Sequence, residues 1–223
     1  NLLHTYYQVD GTGWGTPFLL VPEVACVDPE HVDKLMQAGE GDVYLSPSSP
    51  LDVPFWNLRC SASEKAREER IREGSPGSPC RKGYLRSNTE ITDKPICRAS
   101  KSYHKRLQEL LENGALSEVA YRKKKSAALV KSCLCQDLSG GALLKYGIDP
   151  QAATAICPGP NIVNFCRIAS LSDMIDHIYG RTSLINNPRR PHMFVRELKL
   201  YLDYYRAEVE KLSNGTSEHP VSY

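Results

Sequence analysis

The chain has no apolar run approaching the roughly 18 residues that a membrane-spanning helix needs. Its first residues, Asn1-Leu2-Leu3-His4-Thr5, lack the charged and long apolar regions of a secretory signal, and the chain does not begin with methionine. There is no Gly-x-Gly-x-x-Gly, no P-loop and no Gly-x-Ser-x-Gly, which removes the common dinucleotide, nucleotide and hydrolase signatures. Neither sign of charge is in excess. The 28 Lys and Arg against 26 Asp and Glu leave a net charge of +2, and no electrostatic case for nucleic acid arises. The one dense basic cluster, Arg122-Lys123-Lys124-Lys125, reads as a solvated helix face. No internal repeat is visible.

What the chain has is enough apolar material for a core, 41% of 223 residues, and strong helix punctuation. Asp28-Pro29 opens a helix with Val32, Leu35 and Met36 on its apolar face, closed by Gly39. Ser61 and Glu64 form a capping box ahead of a charged helix to about residue 73. Further helices are expected over 102–113, 116–132, 140–146, 171–180 and 191–212. In the last of these, Phe194, Leu198, Tyr201, Leu202 and Tyr205 recur at helical spacing, as a core or interface stripe. Residues 42–60 and 74–100 are rich in Pro and Gly and read as irregular. Phe55-Trp56 indicates that the first of these stretches packs on a body. Ala153 to Asn161 reads as a short strand entering the Pro158-Gly159-Pro160 turn.

Two groups of residues carry candidate chemistry. Gly11, Gly13 and Gly15 sit in Gly11-Thr12-Gly13-Trp14-Gly15-Thr16-Pro17-Phe18, a turn that suits close backbone approach to a phosphate, or a plain surface turn. A strand at about 11–14 puts Gly15 and the Thr16 N–H and hydroxyl at its carboxyl end. The eight cysteines lie in a chain of this size without a secretory signal, which points to reduced thiols in the cytoplasm. Cys133-Leu134-Cys135 ends a helix, Cys80 and Cys157 adjoin prolines, and Cys97 follows Pro95-Ile96. Turns at thiolates free backbone N–H groups to bond sulfur. Cys80, Cys97, Cys133, Cys135 and Cys157 either converge on zinc or an iron–sulfur cluster, stay separate buried thiols, or form a redox-active or disulfide pair. No Cys-x-x-Cys pair decides between these. Asn214-Gly215-Thr216 matches a glycosylation sequon of little weight in a polar tail.

Gly13-Trp14-Gly15-Thr16-Pro17-Phe18-Leu19 resembles the final barrel strand of nitronate monooxygenase (2-nitropropane dioxygenase)-like flavoproteins. Tyr44-Leu45-Ser46, Val53-Pro54-Phe55, Gly77-Ser78-Pro79-Cys80, Lys94-Pro95-Ile96-Cys97 and Glu197-Leu198-Lys199 resemble a long-tailed branch of that family. The resemblance covers most of 11–206, of which only 11–21 belongs to the flavin barrel. It implies an α/β fold: the terminal piece of a (β/α)8 TIM barrel, about seven βα units of which lie outside this chain. Residues 1–40 would be the last barrel unit, 41–100 a covering segment, 101–212 a helical extension and 213–223 a tail. FMN would be held at Gly13, Trp14, Gly15 and Thr16, in the C-terminal part of an FMN-dependent oxidoreductase acting on a small-molecule substrate. Its partners would be the missing barrel portion and a second copy in a homo-oligomer. No histidine (His4, His31, His104, His177, His192 or His219) sits in the family's catalytic motif, so the catalytic residue is unassigned. The alternatives are a non-catalytic helical module with a cysteine-bound metal or cluster, an interaction domain docked through helices 171–212, and an enoyl-reductase component of lipid or polyketide synthesis.

Overall fold

The computed structural model describes residues 2–6, 8–11, 13–191 and 193–214. Thr12, His192, His219, the sequon beyond Asn214 and the end of the tail lie outside them. Two compact units divide the chain, Asn1–Leu184 and Ile185–Tyr223. The first runs α1 (Leu2–Thr5), a 3-10 turn at Thr16–Leu20, α2 (Pro29–Gln37), β1 (Val43–Ser46), β2 (Phe55–Leu58) and α3 (Ala62–Arg72). It continues with α4 (Lys101–Glu112), α5 (Glu118–Leu129), α6 (Leu134–Asp137), α7 (Gly140–Lys145), a 3-10 turn at Pro160–Asn164 and α8 (Leu171–Ile178). The second unit holds α9 (Met193–Ser213).

The expected terminal piece of a (β/α)8 barrel is absent. Among the described residues the one sheet is the antiparallel pair β1–β2, with Val43 opposite Leu58 and Ser46 opposite Phe55. Residues 13–15 are irregular, and Thr16–Leu20 coils into a 3-10 turn instead of extending. Pro17 explains part of this. It fixes φ near the helical value and gives no N–H to a ladder, and no neighbouring strand is there to receive one. The hairpin replaces an irregular stretch expected from its prolines. Pro47, Pro50 and Pro54 all fall in the connection between the strands, where no ladder donor is missed. Ala153–Cys157 stays extended but forms no strand. It is pinned from the side, Leu58 N–H donating to the Ile156 carbonyl (3.2 Å) and Ser63 N–H to that of Thr154 (3.0 Å). The turn that follows holds as expected: Gly159 takes φ +61°, and a Cβ there would meet the Thr16 hydroxyl at 2.5 Å.

The helices begin where the sequence places them because their caps are local. Asp28, Ser61, Ser100, Ser117 and Ser170 each accept a backbone N–H in the first turn of their helix. The main core gathers Leu20, Val21, Leu35, Leu58, Ile156, Ile162, Val163, Phe165 and Met174, so it is built from α2, β2, α8 and the two 3-10 turns. A second core of Tyr103, Leu107, Tyr121 and Ala128 joins the α4–α5 helical hairpin.

One histidine ties α2 to α3. His31 is buried; its Nδ1–H donates to Asp28 Oδ1 (2.8 Å) and its Nε2 accepts from the Ala62 N–H (3.0 Å), so one ring serves both helix starts. Burial alone would raise the Asp28 carboxyl, but the hydrogen bonds from the ring and the backbone N–H of His31 outweigh it and hold the group below the usual carboxylate range. Asp28→Ala should cost about 1–2 kcal/mol in urea unfolding at neutral pH through the lost cap. A depressed pKa contributes stability above the unfolded-state value and loses it as pH falls, so wild type and variant should converge in acid. A difference that does not depend on pH would contradict this role for the charge.

Candidate metal centre

Three stretches distant in sequence bring thiols together. Cys80 and Cys97 come from the irregular segment 74–100, and Cys133 and Cys135 from the start of α6. Cys97 is within electrostatic reach of Cys80 and Cys135, and Cys133 is within reach of both Cys135 and Cys97. Cys80, Cys97 and Cys133 are buried and Cys135 is half-buried. Four of the five cysteines singled out by sequence thus lie in one electrostatic neighbourhood. Cys157 stands apart, exposed, beside the backbone N–H groups of Gly159 and Trp56.

Local chemistry sets each arm. Segment 74–100 is anchored by two isolated bridges, Ser78 with Ser100 and Asn88 with Ile96. Around the first, Ser78 N–H donates to Ala99 O (2.8 Å) and Lys101 N–H to Ser78 O (2.9 Å). This approach needs Gly77. Its φ is +88°, and a Cβ would stand 2.7 Å from the backbone of Ser100 and Lys101. Cys80 itself lies in the left-handed region at φ +56°, a conformation that costs a non-glycine residue about 1–2 kcal/mol and tends to persist at functional sites. The Cys97 carbonyl accepts from both the N–H (2.9 Å) and the hydroxyl (2.6 Å) of Ser100, so the start of α4 fixes that arm.

The Cys133–Cys135 arm is held by buried polar groups of α3. Glu64 accepts from Asn57 Nδ2 (2.9 Å), Arg67 (2.7 Å) and the Ser132 hydroxyl (3.4 Å). Ser63 donates to Asp137 Oδ2 (2.6 Å), just past the second thiol. Burial pushes the Asp137 carboxyl up to about 6, against that hydrogen bond. Arg86 completes the surroundings. Its guanidinium bonds at Cys80, donating to the carbonyl (3.3 Å), and lies within electrostatic reach of Cys97 and Cys135. Arg86, Ser63 and Glu64 carry no sequence motif that announces these roles; only the capping-box pattern hinted that the start of α3 matters.

As free thiols Cys97 and Cys133 are held protonated at neutral pH. Burial first, then the neighbouring thiols, pushes Cys97 up to about 11; burial, Asp137 and Cys135 push Cys133 up to about 12. A bound metal inverts that preference by taking the thiolate form. Among the described residues, no three sulfurs lie within 4.8 Å of one another.

Asp28, Glu30 and His31 do bring ligand atoms within 4.8 Å of one another. Both His31 nitrogens are already engaged, and Glu30 pairs with Lys34, so this group is a helix fastener. A cleft of about 280 Å³ over α4 and α5 is lined by His104, Lys105, Tyr121 and Lys125 among others. Two of its cations have partners: Lys105 faces Glu109 (3.9 Å) and Lys125 bonds the Tyr121 hydroxyl (3.0 Å). The residues expected to hold FMN do not form a cradle. Gly13 and Gly15 are exposed, with no atom within 4 Å of a would-be Cβ, and Thr16 packs against Gly159. No family model, curated protein or solved structure matches the chain.

In reduced, chelator-treated protein, brief alkylation should label the exposed Cys26 and Cys166 well before Cys97 and Cys133; equal rates by peptide mass spectrometry would contradict the burial described. Gly77→Ala should destabilise the protein by about 2 kcal/mol or more and expose Cys80 and Cys97 to the same reagent.

Proposed function

We propose that Cys80, Cys97, Cys133 and Cys135 ligate an iron–sulfur cluster, and that this chain is a cytoplasmic, cluster-bearing helical module. The observation that carries this is the convergence of four thiols from separate stretches around a segment with almost no regular structure. Four thiolates are a complete ligand set for such a cluster. A tetrahedral zinc site with Zn–S near 2.3 Å draws its sulfurs to roughly 4 Å of each other, whereas cluster thiolates bind separate irons and stand wider; among the described residues no three of these sulfurs lie within 4.8 Å of one another. Arg86 supplies positive charge beside an assembly that four thiolates make negative.

The centre's role is to hold segment 74–100 on the α3–α6 body. A reducing compartment suits it, because it keeps the thiols available as ligands. A flavin-dependent oxidoreductase acting on a small molecule, as the resemblance implies, would need a barrel strand at 11–14, and Gly11, Gly13 and Trp14 there are irregular.

The test is anaerobic purification or reconstitution, with iron and acid-labile sulfide measured against protein. We expect both at cluster stoichiometry with broad visible absorption. Serine at Cys80, Cys97, Cys133 or Cys135 should lower bound iron at least about tenfold, and Cys157→Ser should leave it unchanged. A colourless protein with one zinc would replace the cluster by zinc. A two-banded flavin spectrum without iron would return the flavoprotein reading.

A further inference from the structure

The second unit offers an interaction surface independent of the thiols. Along α9, Val195, Leu198, Leu202, Tyr205, Val209 and Leu212 follow one another at alternating steps of three and four residues. Each is between 41% and 62% exposed, and none of the described residues of α9 is buried. Such spacing sets one narrow apolar seam along a helix, at the a and d positions of a heptad. Val195, Leu202 and Val209 take a; Leu198, Tyr205 and Leu212 take d. The polar groups outside the seam bond within the helix: Lys199 to Asp203 (2.5 Å) and Lys211 to Glu208 (2.5 Å). Most of the stability of a helix in a protein comes from packing of its apolar face rather than from propensity.

We propose that α9 pairs with the α9 of a second copy of this chain as a parallel, two-stranded coiled coil. Two features select that occupant. Valine at two of the three a positions, with leucine at two of the three d positions, favours two parallel strands over higher oligomers. The flanking charges agree. In parallel pairing the g-position Tyr201 of one helix lies beside the e-position Arg206 of the other, a cation–π arrangement. Antiparallel pairing would set the e-position cations Lys199 and Arg206 of one helix against the same cations of the other. Three heptads span about 30 Å of helix, the length of α9.

Analytical ultracentrifugation of the full chain tests this. Wild type should sediment as a dimer at micromolar concentration. Leu202→Lys with Val209→Lys should sediment as a monomer, and Ala207→Lys, on the opposite face, should remain dimeric. Cys80→Ser should also remain dimeric, so this surface and the metal centre stand or fall separately. A wild-type chain that stays monomeric up to about 100 µM overturns the proposal whatever the variants do. So does a double variant that still dimerises.

Discussion

Residues 74–100 impose the constraint on which the candidate site depends: they are ordered without helices or strands to order them. Fixing each residue costs about 1–2 kcal/mol of backbone entropy, normally offset by burial and ladder hydrogen bonds. Here two isolated bridges and a small cluster of Cys80, Cys97, Ala99 and Leu85 do that work. Half of that apolar cluster is thiol. Ile91 and Ile96 also pack on the α4–α5 core, and Arg81, Glu90 and Arg98 pair with Asp149, Lys124 and Asp52; the proposed thiolate–metal bonds would add to these.

The opposite wall explains why the site forms where it does. The first turn of α3 buries Ser61, Ser63 and Glu64, which is unusual for a helix start. Those groups are satisfied by Asn57 of β2, by Arg67 and by Ser132 and Asp137, which bracket the Cys133–Cys135 pair. Burying a carboxylate is costly unless each oxygen is bonded, so the network admits few arrangements and fixes the two thiols with it. The His31 fastener sets the same helix start from the other side.

What was legible in the sequence is what is local. Asp28-Pro29 and Ser61-Ala62-Ser63-Glu64 start helices through contacts three residues away, and the structure starts helices there. The hairpin was hidden because prolines that break strands here sit only between them, and period-two patterning over four residues is too short to read. The glycine run was read as a barrel strand because flexibility and phosphate approach share one signature, Gly-x-Gly; a strand needs neighbours, and the chain supplies none there. The cysteines show the limit from the other side. Adjoining turns nominated five, and only tertiary placement sets Cys157 apart from the four that share one electrostatic neighbourhood. The seam on α9 was visible as a stripe, but its alternation of three and four gains meaning only once the side chains are found exposed.

The centre at Cys80, Cys97, Cys133 and Cys135 is most directly tested by X-ray absorption at the iron edge of the anaerobically prepared, full-length chain. The account predicts a first shell of sulfur alone, with iron–iron scattering beyond it. A first shell of oxygen or nitrogen, or an iron signal no stronger than that of the Cys80→Ser variant, would contradict it.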